Sequence, residues 1–147
     1  MTSYPKVREL SEIERAWLAA ALDGEGNIIF VSRKKQHVTQ VRIVNTDLRF
    51  LNRVKDITGT GRIKEKKRLY SKPNWKKCFE WHLYSLESCS LLLKQLLPYL
   101  IIKADIAKQV ILFADYHLPR SGRRYGAYEK TILKGDITEI EGIRRLL

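Results

Sequence analysis

The sequence predicts an α+β fold: a helix leads into a β-hairpin, a second helix leads into a second hairpin, and helices complete the chain. Three observations predict it. Capping residues stand ahead of apolar runs with helical spacing; alternating runs come in two pairs, each joined by a polar connection; and glycine or proline closes the first three helical runs.

Ser11 and Glu14 have capping-box spacing, so the first helix starts there. Leu10, Ile13, Trp17, Ala20 and Ala21 keep its spacing to about Asp23, and Gly24 and Gly26 stop it. NIIFVSRKK and VTQVRIV then form a hairpin around a Gln36–His37 turn. Ile28, Phe30 and Ser32 share a face with Thr39, Val41 and Ile43, while the other face grows basic and amidic toward the turn. Leu48, Leu51, Val54 and Ile57 repeat at helical spacing between a capping Asp47 and a terminating Gly59. In the second hairpin Arg62, Lys64, Lys66 and Arg68 alternate along one strand, and Phe79, Trp81 and Leu83 along its return, with a loop around SKPN. SLESCSLLLKQLLPYL is a helix ended near Pro98, and IIKADIAKQVILFADYH is another. HLPRSGRRYGAY is a basic loop, and GDITEIEGIRRLL a short terminal helix with Asp136 and Glu139 at capping spacing.

Composition narrows the class of function. The 147 residues suit one domain with its own core, and no apolar run approaches the roughly 18 residues of a membrane span. Cys78 and Cys89 lack metal-type spacing and read as reduced thiols. With no signal-like leader, an intracellular place of action is expected. The net charge of +12 favours a polyanionic partner. It is concentrated: Gly61 to Lys77 carries eight basic residues and one acid, as a ribbon facing nucleic acid would.

His37, His82 and His117 are scattered, with no zinc spacing, and no phosphate-binding loop or nucleophile elbow is present. The chemical candidates are therefore carboxylates, above all Asp23 and Glu25. Both sit at the C-terminus of an apolar helix, where negative charge is disfavoured by a few tenths to about 1 kcal/mol each. Their plain reading is a solvated loop acid and a turn former. Against it stand the apolar helix before them, the glycines around them and the basic sheet after them. Carboxylates inside a phosphate-binding surface need a compensating cation, and Mg²⁺ prefers oxygen ligands. Acid and metal beside a nucleic-acid backbone is the makeup of phosphodiester hydrolysis.

Leu18 to Gly26, LAAALDGEG, resembles the LAGLIDADG motif of homing endonucleases. Leu18, Ala19, Asp23 and Gly26 agree outright, Leu22 and Glu25 are conservative, and Gly24 is a common alternative. Ala20 keeps the place of the motif's first glycine small. NTDLRFLNRVKDITGTGRI resembles the family's second helix and next strand, and QLLPYLIIKADIAKQV the helices after the sheet. The resemblance spans residues 10–116. It implies the αββαββα LAGLIDADG endonuclease fold over 1–147, with an antiparallel saddle-shaped sheet, helices on one face and extra C-terminal helices.

The resemblance also implies roles. The motif helices of two subunits pack side by side, which places Leu18, Ala20, Ala21, Asp23 and Gly24 at a dimer interface. The motif's last acid holds the metal, so Glu25 is the metal ligand and catalytic acid, joined by the Gly24 carbonyl; Asp23 is structural. Asn45 matches a polar residue that orients water, though a turn or capping role explains it as well. Lys103 matches a basic residue that neutralises phosphate charge, though a snorkelling helix lysine explains it as well. Glu25 stands where aspartate is commoner, one methylene longer. No second copy of the motif occurs, which implies a homodimer with two-fold symmetry.

The implied activity is a Mg²⁺-dependent double-strand break in a long pseudo-palindromic DNA target, with Mn²⁺ or Ca²⁺ able to substitute for binding and no organic cofactor or membrane partner. The protein would be intron-encoded and would act in cytoplasm or nucleoid, or in an organelle. Arg33, Lys35, Gln36, Gln40, Arg42, Arg62, Lys64, Lys66 and Arg68 are the candidate DNA contacts, Arg suiting guanine and Gln adenine. Two other functions fit the same fold, an intron-RNA maturase and a non-cleaving DNA-binding regulator. An acid at Glu25 together with Lys103 argues against the regulator and leaves the maturase open.

Overall fold

The computed structural model describes residues 5–33, 36–67, 72 and 74–120. The first helix, α1, spans Glu12–Glu25, and both halves of the capping box form: Ser11 Oγ accepts from the Glu14 amide and Glu14 Oε1 from the Ser11 amide. Strand β1 (Gly26–Arg33) follows directly, and β2 (Gln36–Asn45) is the next described strand. Gln36 and His37, expected to turn the hairpin, instead continue β2 and pair with Arg33 and Ser32. The ladder runs on to the Arg33–Gln36 pair because it is made by backbone hydrogen bonds, which a polar pair supplies as readily as an apolar one. Lys35 lies outside the described residues.

Helix α2 (Leu48–Thr58) runs from an Asp47 cap to Gly59, whose φ of 71° is the left-handed C-terminal geometry that favours glycine. Strands β3 (Arg62–Lys66) and β4 (Cys78–Leu83) form the second hairpin; Arg68 and most of the connecting loop lie outside the described residues. Helix α3 (Leu86–Leu96) starts on a Ser85 cap and ends in a 3-10 turn, Leu97–Tyr99, containing Pro98. Helix α4 (Ala104–His117) leads into a 3-10 turn, Leu118–Arg120, at the end of the described residues, and the expected terminal helix lies outside them.

All pairings are antiparallel, in the order β1-β2-β4-β3. Period-2 geometry gives the sheet two faces. Ile28, Phe30, Val41, Ile43, Trp81 and Leu83 point inward and are buried with Leu51, Val54 and Ile57 of α2, Leu92, Leu93 and Leu96 of α3, and Val110 and Phe113 of α4. Helices therefore cover one face, and the other points away from them. Trp81 anchors the core: fully buried, it donates its indole N–H to the Thr60 carbonyl at 3.0 Å. Cys78 and Cys89 are free thiols, both buried, and burial pushes Cys89 up to about 12.

Helix α1 faces the core with a different stripe from the one its spacing suggests. Leu18, Ala19 and Leu22 are buried, whereas Ile13 is 82% exposed and Trp17, Ala20 and Gly24 also look outward. Leu18, expected at a dimer interface, is 1% exposed and belongs to the chain's own core. The helix is apolar on both sides, so its spacing alone does not select the buried one.

Candidate active site and nucleic-acid interface

The end of α1 resolves the charge problem posed by its sequence. No basic residue occupies its last turn, and Lys103 supplies the missing cation from 80 residues away, its Nζ donating to the Asp23 carbonyl at 2.8 Å. That contact places an ammonium on the negative end of the helix dipole. The Asp23 carboxylate turns back toward the same segment and accepts the backbone N–H groups of Ile101 (2.8 Å) and Lys103 (2.9 Å). Asp23 is thus a structural acid that staples the α3–α4 connection to the motif helix.

Glu25, the last residue of α1, is exposed and makes no hydrogen bond or ion pair with the described residues. A Cβ built on Gly24 would meet nothing within 4 Å. The chain's own packing therefore gives no reason for glycine at this position. Gly26 differs, since a Cβ there would lie 2.5 Å from the Leu22 side chain and 3.0 Å from the Arg42 carbonyl. Close approach of β2 to the helix end requires glycine at 26.

Asn45 ends β2, two residues past the Ile43 that pairs with Gly26, so it stands near the same helix end. Its Oδ1 accepts the Asp47 amide at 2.8 Å, which is the turn-forming role, and leaves its amide nitrogen as a donor. Glu25, Lys103 and Asn45 thus come from three elements to one end of the sheet. Among the described residues no three His, Cys, Asp or Glu side chains gather as a metal site. At this helix end the described residues offer one free carboxylate, Glu25, with helix-end carbonyls beside it. Mg²⁺ commonly takes one or two carboxylates and completes its shell with water and phosphate, so this oxygen donor set fits part of such a shell.

The outward face of the sheet carries the other expected residues. Residues of each row stand opposite one another across the strands: Asn27, Arg42, His82 and Arg62 in one row, Val44, Glu80 and Lys64 in the next, Cys78 and Lys66 in a third. Arg62, Lys64 and Lys66 are exposed, Arg42 is half-buried, and Gln40 is buried between its neighbours. Arg33 and Gln36 pair at the hairpin tip. Their backbone is described and their side chains are not.

Glu80 and His82 also lie on this face, because the alternation that sends Phe79, Trp81 and Leu83 inward sends them outward. His82 is buried, with its Nδ1 lacking a hydrogen-bond partner and its ring 4.3 Å from that of Tyr84. Burial, with the Lys64 and Arg62 charges, lowers its pKa and favours the neutral ring. A cavity of about 300 Å³ opens beside it, bordered by Arg62, Tyr84 and Ser85.

No protein-family model matches the chain, and no curated protein matches it. Solved structures do. A complex of the homing endonuclease I-CvuI with the I-CreI target, determined with Mg, matches at TM-score 0.63 and 24% identity, over 92% of this chain and 83% of that one. The meganuclease I-SmaMI bound to uncleaveable DNA matches at TM-score 0.64 and 14% identity, over 97% of this chain and 46% of that one. The LAGLIDADG meganuclease I-AabMI bound to uncleaved DNA matches at TM-score 0.52 and 20% identity, over 71% of this chain and 39% of that one. The fold is that of LAGLIDADG homing endonucleases.

Proposed function

We propose that this protein is one subunit of a homodimeric, site-specific homing endonuclease that makes a double-strand break in DNA. The reading rests on one arrangement: an exposed small and apolar stripe on α1 runs into an unpartnered acid at the edge of a cationic sheet face. Ile13, Trp17, Ala20 and Gly24 form that stripe, with Phe50 packed against Trp17 at a ring distance of 5.3 Å. Exposed apolar surface of this kind marks an interaction site. A second copy packed along it brings two Glu25 side chains to one axis and two reading faces to one DNA duplex. This chain spans most of I-CvuI but less than half of I-SmaMI and I-AabMI, as expected if two copies build what a longer chain builds alone.

The two subunits bind a pseudo-palindromic target, each laying its four-stranded face into a major-groove half-site. Arg42, Arg62, Lys64 and Lys66 neutralise phosphates or read guanine, and Gln40 lies among them. Glu25 and the Gly24 carbonyl would hold a divalent cation. When bound, that cation supplies Lewis-acid stabilisation of charge on the scissile phosphate. Lys103, held on the end of α1, adds a fixed positive charge beside the reacting group. The Asn45 amide donates to and orients a water molecule. Asp23 performs no chemistry; it fixes the distance between α1 and Lys103.

The experiment is a cleavage selection on a randomised duplex library with Mg²⁺, repeated in EDTA and with Glu25→Gln. Double-strand cleavage is expected with the wild-type protein alone, a loss of at least ~10²-fold in both other arms, and DNA binding retained by the variant. Undiminished cutting by Glu25→Gln overturns the role of that residue. A single 17.2 kDa chain on DNA in sedimentation overturns the dimer.

A further inference from the structure

One carboxylate stands where a DNA-binding face should have none. Glu80 lies on the outward side of β4, in the middle of the sheet, and is 4% exposed. Arg42 of β2 approaches it from one side, with Nη1 3.7 Å from Oε1, and Lys64 of β3 from the other, with Nζ 3.8 Å from Oε2. Both are ion-pair distances rather than hydrogen bonds, and Oε1 has no hydrogen-bond partner. The strand register explains the arrangement: Lys64 stands directly opposite Glu80 on β3, and on β2, where Val44 is opposite, Arg42 reaches it diagonally from the next position on the same face. The buried acid is thus a bridge between cations from two different strands.

A buried carboxylate without full hydrogen bonding is costly, so stability alone gives poor reason for it. An apolar residue would seal the sheet better. Its charge does two things that an apolar residue cannot. It draws two long, flexible side chains into fixed positions, and it cancels part of the positive potential that would bind any phosphate backbone. Phosphate contacts give affinity without sequence, whereas base contacts need side chains held in register.

We propose that Glu80 is a positioning residue that converts Arg42 and Lys64 from general phosphate ligands into held, sequence-discriminating contacts. The proposal rests on the DNA-binding reading above. Glu80 itself touches no nucleotide, because its carboxylate is covered by the two cations. Removing its charge frees both of them. Non-specific affinity then rises, and discrimination at the base pairs under Arg42 and Lys64 falls.

The test uses the full chain and a target selected by the wild-type protein from a randomised duplex library. Binding of that target, of a panel with each base pair substituted, and of an unrelated duplex is measured against salt for wild type, Glu80→Gln and Glu80→Asp. For Glu80→Gln the expected result is about tenfold weaker discrimination at a cluster of adjacent base pairs, within the range of one lost base contact. Its salt slope on the unrelated duplex should steepen by about 0.9 per freed cation, so by up to ~1.8. Glu80→Asp keeps the charge and should keep the wild-type slope while losing part of the discrimination. Should Glu80→Gln fail to fold, Glu80→Asp carries the test, and full wild-type discrimination in it overturns the proposal. An unchanged panel and slope in Glu80→Gln, with target binding intact, overturns the positioning role alone. A wild-type protein that selects no sequence overturns this proposal together with the reading beneath it.

Discussion

A methyl group added at Gly61 would lie 2.2 Å from the Trp81 indole nitrogen, and the residue's φ of 94° is strained for any L side chain. Gly61→Ala therefore combines backbone strain of ~1–2 kcal/mol with overpacking of ~1–3 kcal/mol. A loss of about 3 kcal/mol in urea unfolding is expected. Gly24 behaves in the opposite way. Its Cβ position is open, so Gly24→Ala should raise the stability of an isolated subunit by up to ~1 kcal/mol through helix propensity. Under the dimer reading the same methyl group sits in the seam, and sedimentation should show dissociation while unfolding shows stabilisation. A variant that is stabilised and still dimeric removes Gly24 from the seam.

Element by element, the end of α1 shows how a segment with unfavourable local charge becomes a fixed point. Asp23 and Glu25 are acids at the negative end of a helix; Lys103, 80 residues away, places an ammonium on the Asp23 carbonyl, and the Asp23 carboxylate binds the Ile101 and Lys103 amides. Asp23→Asn keeps one acceptor oxygen and loses the charge and the second, so one amide of the pair at Ile101 and Lys103 is left unsatisfied. Charge-assisted hydrogen bonds are worth ~1.5–3 kcal/mol, and partial exposure here brings the expected loss nearer 1 kcal/mol. Hydrogen exchange should speed up at Ile101 and Lys103 and leave β2 protected. Unchanged protection in the 100–103 segment would show that Asp23 does not hold it.

At the largest scale, the sheet is a wall with an apolar side and a charged side, and histidines stand on both: His82 on the charged side of β4, His37 and His117 against the core residue Phe113. His37 and His117 both pack against Phe113, with ring distances of 5.1 and 4.1 Å. Burial lowers the pKa of both, and of His82. A histidine with a depressed folded pKa binds fewer protons folded than unfolded, so its share of stability is whole above the ordinary 6.5 and falls as pH drops toward the folded value. The melting temperature should therefore be flat above about pH 7 and decline below 6.5. Substituting His37 and His117 together with Gln should flatten that decline, and an equally steep profile in the double variant would exclude them as its cause. Asp47 acts in a separate, more acidic window. The Arg49 guanidinium holds it at about 2, so its contribution is present above the usual carboxylate range and is lost as pH falls through about 2.

Local sequence is enough for the order of elements, the caps of α1, α2 and α3 and the two faces of every described strand. These follow from local rules: Ser11, Asp47 and Ser85 cap because their side chains reach amides two or three residues away, and strand side chains alternate wherever the strand lies. The motif could be matched in the sequence for the same reason, being contiguous. Only the tertiary structure decided which apolar stripe of α1 is core, since Leu18–Ala19–Leu22 and Ile13–Trp17–Ala20 both have helical spacing and the choice belongs to whatever packs against them. It also decided that Asp23 and Lys103 form one unit, and that Glu80 stands between Arg42 and Lys64 rather than in solvent. Those pairings depend on how β2, β3 and β4 and the α3–α4 connection are brought together, and no local period carries that information.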